Sequence, residues 1–140
     1  MKIFDAENQI LGRLSSVIAK NLLEGEEVIV VNCEKAVLSG NPKSKLEEYR
    51  EKVQRGDPHK GPFFPRQPDG IFRRTVRGML PWHKPKGKSA FKRLKVFIGV
   101  PEELKDKKFE KSKEADASKL KVKYITLGEL SLRLGGKKRW

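Results

Sequence analysis

The sequence lacks most features that would assign a function directly. Its single cysteine, Cys33, cannot form an internal disulfide and lies in an apolar stretch without a CxxC motif, so we interpret it as a buried core thiol. Neither a GxGxxG nor a GxxxxGK[ST] phosphate loop occurs. No apolar run approaches the roughly 20 residues that span a bilayer, and the first residues do not form a signal peptide. We therefore expect a cytosolic protein with no membrane partner.

Groups suited to catalysis or metal binding are also scarce. His59 and His83 lie far apart in cationic surroundings, without a carboxylate or cysteine at ligand spacing. The basic part of the chain contains no paired carboxylates. We predict no catalytic residues, no metal, no cofactor and no small-molecule substrate. The alternative function is an enzyme that acts on RNA or nucleotides, and a basic adaptor for membranes or acidic proteins is a third option.

Acidic residues are nearly absent from the middle of the chain, where the positive charge is concentrated. Residues 55–95 hold twelve Lys and Arg against two Asp, which is +10 of the net +14. Six of the eight prolines lie here, together with Phe63, Phe64, Phe72, Trp82 and Phe91. Cations neutralise phosphates and flat rings can meet bases, so nucleic acid is the leading partner.

The length of 140 residues indicates one domain rather than two. We predict a single domain over residues 1–140 with three parts. Residues 1–54 form a βαβ start followed by a helix, and residues 55–95 form a basic RNA-binding loop and helices. Residues 96–140 comprise a strand, a mixed-charge insertion, a C-terminal helix and a basic tail.

Periodicity places the elements within these parts. Strands are predicted at Lys2–Phe4, Val28–Val31, Ala36–Leu38, Val96–Ile98 and Leu120–Tyr124, and helices at Leu11–Leu22, Pro42 to about Gly56, Ile71–Leu80, Ala90–Leu94 and Leu127–Leu134. Ser44 and Glu47 have capping-box spacing, and Thr126 and Glu129 repeat it. We expect an extended loop at 57–68, a basic turn at 84–88 and an exposed, partly mobile insertion at 102–119. Gly135-Gly136 is predicted to release the C-terminal tail.

The predicted helix from Ile71 to Leu80 has two unlike sides. At 100° per residue its apolar residues, Met79 included, fill one half, while Arg73, Arg74 and Arg77 fill the other. A surface that serves only solubility normally interleaves both signs of charge, and no acidic residue occurs between Asp69 and Glu102. We therefore predict that this arginine face binds RNA.

The candidate site residues form a primary and a secondary set. The primary RNA-binding set is Arg55, Lys60, Arg66, Arg73, Arg74, Arg77, Lys84, Lys86, Lys88, Lys92 and Arg93. The secondary set is Arg13, Lys20, His59, Phe63, Phe64, Trp82, His83, Lys137, Lys138 and Arg139. Two alternatives stay open within the secondary set. Arg13 and Lys20 can simply face solvent, and the three aromatic residues can either stack on bases or pin a loop to the domain.

Four motifs carry a family resemblance. They are Gly12-Arg13-Leu14-Ser15-Ser16, Val30-Val31-Asn32-Cys33-Glu34-Lys35 with Ser39-Gly40, Val76-Arg77-Gly78-Met79-Leu80-Pro81, and Leu94-Lys95-Val96-Phe97-Ile98-Gly99. Together they resemble the large-subunit ribosomal protein thirteen family, from the first strand to about Pro101. The Gly61-Pro62-Phe63 loop and the mixed-charge C-terminal region resemble its archaeal and eukaryotic branch.

The resemblance implies a three-layer α/β/α domain with a four-stranded parallel sheet, plus the basic loop and C-terminal extensions. It also implies a structural, non-enzymatic constituent of the large ribosomal subunit that binds large-subunit ribosomal RNA and supports subunit assembly and translation in the cytoplasm. The region around Arg73, Arg74, Arg77, Lys84, Lys86 and Lys88 would face the RNA. Neighbouring large-subunit proteins would be further partners.

Overall fold

The computed structural model describes residues 1–55, 59 and 64–140. The predictions for Lys60, Phe63, the Gly56 helix end and much of the 57–68 loop lie outside these residues. The strands are β1 (Lys2–Asp5), β2 (Val28–Val31), β3 (Val37–Ser39), β4 (Leu94–Val96) and β5 (Tyr124–Thr126). The helices are α1 (Leu11–Leu23), α2 (Pro42–Gln54), α3 (Pro68–Gly78), α4 (Pro85–Lys92) and α5 (Leu127–Arg133), and short 3-10 turns lie at Cys33–Lys35, Glu102–Leu104 and Ala117–Lys119.

The predicted βαβ start is present. The apolar spacing of α1 buries Leu14, Ile18 and Leu22 completely, and Gly25 follows the helix with a φ of +96° that a side chain would strain. β1 and β2 then pair in parallel, with Lys2 opposite Val28. A parallel pair needs such a crossover because a tight turn cannot join strands that run in the same direction.

The mixed α/β class with a parallel sheet is confirmed, but the prediction of four parallel strands is wrong. Within the described residues, the parallel sheet has three strands in the order β1-β2-β4. The Ala36–Leu38 candidate forms β3, which pairs antiparallel with β5 in a separate two-stranded sheet. The chain leaves β2 through Asn32, whose φ is +56°, and a 3-10 turn. This bend turns the following strand away from the parallel sheet.

Two element boundaries in the basic region also differ from prediction. The proposed turn at 84–88 is largely helical, because α4 begins at Pro85, which suits a first helical turn. The strand predicted at Val96–Ile98 instead spans Leu94–Val96, where Leu94 pairs with Val28. The earlier helix start therefore places the lysines at 86 and 88 on a helix.

Capping was predicted correctly at one helix and wrongly at another. Thr126 Oγ1 accepts a hydrogen bond from the Glu129 backbone N–H at 3.3 Å, as its spacing predicted. At α2 the cap is Asn41, whose side chain accepts from Lys43 N at 3.0 Å. Asn41 lies directly before Pro42 at the first position of the helix, so Ser44 falls inside the helix and cannot cap it.

The segment at 102–119 is less exposed than predicted. The backbone of Glu110 donates to Ile3 O at 2.8 Å and accepts from Asp5 N at 3.0 Å, which attaches the segment to the edge of β1. Ala115 and Ala117 are buried. The sequence analysis did not predict this contact, because most side chains of the segment are charged and its two buried alanines form no periodic apolar pattern.

The interpretation of Cys33 as a core thiol is confirmed. Cys33 is free and fully buried. Burial, followed by the negative charge of Glu34, raises the pKa of its thiol, so the group stays protonated and unreactive at neutral pH.

Candidate nucleic-acid interface

α3 presents its arginines opposite the core. Ile71, Phe72 and Val76 are completely buried, whereas Arg73, Arg74 and Arg77 are half-buried on the other side. This matches the two-sided pattern of the sequence, except that Met79 is 42% exposed rather than part of the apolar half. The helix ends at Gly78, so Met79 no longer follows its periodicity.

Each of the three arginines lies over an aromatic ring. The guanidinium carbon of Arg73 is 4.7 Å from the centre of the Phe91 ring. The corresponding distances are 5.6 Å from Arg74 to Phe64 and 4.8 Å from Arg77 to Trp82. A cation–π contact of this kind restricts the orientation of each guanidinium group. We call these three pairs the arginine–ring face.

The positive charges within this face affect one another. Partial burial, followed by repulsion from Arg77, lowers the pKa of Arg74. The guanidinium nevertheless stays charged at neutral pH. A nearby phosphate would relieve this repulsion, because it supplies the opposite charge.

The rings under the arginines also pack against other rings. Trp82 and Phe91 meet edge to face with centres 5.3 Å apart, and Phe64 meets Tyr49 in the same way at 6.0 Å. These contacts favour the interpretation in which Phe64 and Trp82 pin loops to the domain over the one in which they stack on bases.

Two predicted site residues also hold the fold together. Arg73 Nη1 donates to Leu94 O at 3.1 Å and so ties α3 to β4. Arg93 Nη2 donates to Leu22 O at 2.7 Å and so ties the end of α4 to the end of α1. Each arginine therefore donates one hydrogen bond to a backbone carbonyl group of the protein itself. The sequence analysis did not predict these two bonds.

α4 and the residue that precedes it supply lysines beside the arginine–ring face. Lys84, Lys86, Lys88 and Lys92 are exposed, as is His83. The position of α4 depends on Gly87, because a Cβ atom there would lie 2.1 Å from the Pro81 carbonyl oxygen. The close backbone approach at Gly87 holds the lysines next to α3.

Four other predicted residues are exposed but dispersed: Arg13, Lys20, Arg55 and His59. Arg55 forms an ion pair with Glu51 at 2.7 Å, which offsets its charge. Arg13 borders a groove that also contains Thr75 of α3. Lys20 borders a different groove, next to Lys113. The structure thus places Arg13 near the arginine–ring face and Lys20 away from it.

Sequence reasoning missed one cation of this region. Lys52 Nζ lies 4.5 Å from the centre of the Tyr49 ring and 5.7 Å from that of Phe64. It therefore extends the arginine–ring face onto α2. The three-residue spacing of Tyr49 and Lys52 on a helix could have signalled their contact, but nothing local indicated that Phe64 would join them.

The prediction that Gly135-Gly136 releases the C-terminal tail is wrong, because the tail is bonded to the domain at Lys137. Ser131 Oγ donates to Arg66 O, and the Gln67 amide, oriented to satisfy both groups, donates to Lys137 O at 3.1 Å and accepts from Lys137 N at 2.9 Å. A Cβ atom on Gly136 would lie 2.9 Å from Arg66 O. The tail therefore starts beside Arg66, and Lys137, Lys138 and Arg139 are exposed there.

Within the described ranges, no group of three His, Cys, Asp or Glu side chains is placed to hold a metal ion. Among the helices of these ranges, none has the length and apolar character needed to cross a membrane.

The fold and the site define the class: a basic α/β domain that presents a cationic face backed by aromatic rings. The sequence profile of the ribosomal protein L13 family matches residues 1–103, and the chain belongs to that family. The family resemblance carried by the sequence motifs is thereby confirmed.

Archaeal relatives extend the similarity through the C-terminal region. The chain is 54% identical to the large ribosomal subunit protein uL13 of Archaeoglobus fulgidus over 95% of this chain and 86% of that protein. It is 53% identical to the uL13 of Methanopyrus kandleri with the same coverage, and 50% identical to that of Methanosarcina barkeri over 98% and 99% of the two chains. These names describe ribosomal proteins of the archaeal type and not enzymes, as the sequence predicted.

Proposed function

We propose that this chain is a structural constituent of the large ribosomal subunit that binds large-subunit ribosomal RNA and supports subunit assembly and translation. Its place is then the ribosome in the cytoplasm, with neighbouring large-subunit proteins as further partners. In this proposal residues 1–140 act as one domain, whose middle part carries the RNA contacts.

The observation that carries the proposal is the arginine–ring face. A guanidinium can fork onto two phosphate oxygens, and an arginine already held against a ring loses less side-chain entropy when it does so. The exposed lysines of α4 add mobile point charges around this fixed group. RNA has the dense phosphate charge that such a surface neutralises, and releasing its counterions provides much of the binding free energy.

The salt dependence of binding tests this proposal. Affinity of the full chain for large-subunit ribosomal RNA is measured over a range of salt concentrations for the wild type and for Lys86→Gln/Lys88→Gln. Each lost phosphate contact reduces the log–log slope by roughly 0.7 to 0.9. We therefore expect the double variant to have a clearly shallower slope.

Lys105→Gln/Lys107→Gln is the matched control, because it removes the same charge from two exposed lysines of the C-terminal segment. The proposal expects a slope close to that of the wild type for this control. Equal losses in the two double variants would show that binding follows net charge and has no defined face.

A further inference from the structure

The structure contains a second exposed surface whose character is opposite to that of the arginine–ring face. It is a groove of about 510 Å³ between β3, β5, α5 and the C-terminal residue. Three of its side chains are large and exposed: Tyr124 at 53%, Leu132 at 42% and Trp140 at 37%. Exposed apolar groups clustered in one concave place indicate a contact surface.

The shape of the groove is built by close packing at its wall. A Cβ atom on Gly128 would lie 3.0 Å from Cζ2 of Trp140 and 3.0 Å from Glu34 O. The absence of a side chain at this position lets the terminal ring lie against α5. Trp140 is thus part of the groove rather than the end of a free tail.

The charge of the groove is negative in a chain whose net charge is +14. Its lining includes the exposed carboxylates of Glu7 and Glu129 and the cation Lys35. Glu34 also lines it, but its carboxylate is buried and accepts a hydrogen bond from Gly99 N at 3.0 Å. Lys35 Nζ lies 4.0 Å from Glu7, while Glu129 pairs with Arg133 at 2.8 Å. These exposed pairs are weak, so both carboxylates can accept other cations.

Acidic groups beside exposed rings suit a polypeptide that carries Lys or Arg together with apolar side chains. The carboxylates attract the cations, and the faces of Tyr124 and Trp140 can hold a cationic or apolar side chain. Phosphate would be repelled from the same place. Proteins that coat RNA are rich in Lys and Arg, so the neighbours expected in a ribosomal subunit have this chemistry.

We propose that the Tyr124–Leu132–Trp140 groove binds a Lys/Arg-containing segment of a neighbouring large-subunit protein, on a side of the molecule chemically distinct from its RNA-binding face. The ribosomal identity of the neighbour rests on the proposed function. The groove and its acidic rim are features of the structure and do not depend on that function.

Fluorescence of Trp140 tests the binding chemistry. The chain has two tryptophans, so a Trp82→Phe background makes Trp140 the sole reporter and retains a ring under Arg77. The probe is a short peptide that alternates lysine and leucine, and the control alternates glutamate and leucine. The net charge of the protein attracts the control peptide, so a response of Trp140 to the lysine peptide alone would identify local recognition.

Charge removal at the rim completes the test. We expect Glu7→Gln/Glu129→Gln to weaken binding of the lysine peptide by about five- to tenfold without shifting the thermal midpoint. An unchanged affinity, an equal response to the glutamate peptide, or no response would overturn the proposal. Rim-dependent dimerisation of the chain in sedimentation would also overturn it, by naming a second copy as the occupant.

Crosslinking in purified large subunits tests the partner. A photoreactive residue at Leu132 is expected to crosslink to a Lys/Arg-rich protein segment, and one at Lys92 to RNA. RNA crosslinks at Leu132 would remove the groove proposal while leaving the proposed function intact. An unchanged salt slope in Lys86→Gln/Lys88→Gln would do the reverse, because it would contradict the proposed RNA-binding face and leave the groove proposal intact.

Discussion

Two segments of this chain have almost the same number of cations and use them differently. Residues 68–95 contain nine Lys and Arg with Asp69 as their one acidic residue, and residues 102–123 contain eight Lys with six Asp and Glu. In the first segment, arginines lie on Phe91, Phe64 and Trp82. In the second, Lys111 approaches Asp5 at 3.9 Å.

The difference shows that a binding surface depends on how its charges are held as well as on their number. An arginine against a ring has a restricted orientation and bidentate geometry, whereas an exposed lysine among carboxylates is mobile and partly neutralised. We therefore propose that the RNA binding of the proposed function rests on the first segment. The second uses its backbone and two alanines to cover the edge of the parallel sheet.

The largest expected effect comes from the glycine that positions the first segment. Gly87→Ala forces a Cβ atom into the Pro81 carbonyl, and such overpacking typically costs about 1–3 kcal/mol. Chemical denaturation should show this loss, together with weaker RNA binding as the lysines of α4 move.

Gly78→Ala is the matched control, because a Cβ atom there meets nothing within 4 Å. Alanine is favoured over glycine in helices by about 1 kcal/mol, so this variant should be slightly more stable than the wild type. If both alanines stabilise the protein, the close approach of α4 to Pro81 does not position the face.

The next effect separates two arginines of the same face. Arg73→Gln removes the hydrogen bond to Leu94 O, and we expect a loss of about 1–2 kcal/mol in the free energy of unfolding. Arg77→Gln removes a ring contact and a charge, so it should lower RNA affinity with a stability loss below about 1 kcal/mol. Melting and RNA titration on the same samples distinguish them, and equal stability losses would contradict the assignment.

Removal of a ring tests whether the arginines need their support. Trp82→Leu deletes no charge but takes away the surface under Arg77. We expect RNA affinity to fall about two- to fivefold, which corresponds to the roughly 0.5–1 kcal/mol of a cation–π contact. Val122→Leu, at an exposed position of the second segment, is a control for a conservative apolar change. Unchanged affinity in Trp82→Leu would mean that charge alone is sufficient.

The smallest effect isolates side-chain shape from charge. Arg77→Lys keeps the positive charge and loses the planar fork, so RNA affinity should fall by about a factor of two with an unchanged salt slope. The reciprocal change in the second segment, Lys107→Arg, should leave affinity unaltered. Identical RNA affinities for the wild type, Arg77→Lys and Lys107→Arg would mean that the shape of the cation does not distinguish the two segments.

Local patterns were sufficient for several parts of the fold and the candidate site. The burial of α1, the parallel pairing of β1 with β2, the Thr126 cap and the shared face of Arg73, Arg74 and Arg77 all follow from spacing over a few residues. Such spacing is informative because the periods of the helix and the strand determine which side chains lie on the same face of the element.

Other features needed contacts that no short window contains. A strand was predicted at Ala36–Leu38, but its antiparallel pairing with β5 was not. The rings beneath the arginines come from α4 and the loops as well as from nearby positions. Arg93 looked like a free cation, although it bonds to Leu22 across the domain. Local propensity predicts that a strand or a cation is present but not which strand or side chain it contacts. Tertiary packing determines that contact.

The sequence by itself determined the class, the family motifs, the central positive charge and the side of α3 on which the arginines lie, because composition and helical period are properties of neighbouring residues. The tertiary structure alone decided which arginines are held by rings, where the C-terminal tail begins and that Glu7, Tyr124 and Trp140 border one acidic groove. These residues are distant in the chain, and their proximity results from burial of a common core rather than from any local preference.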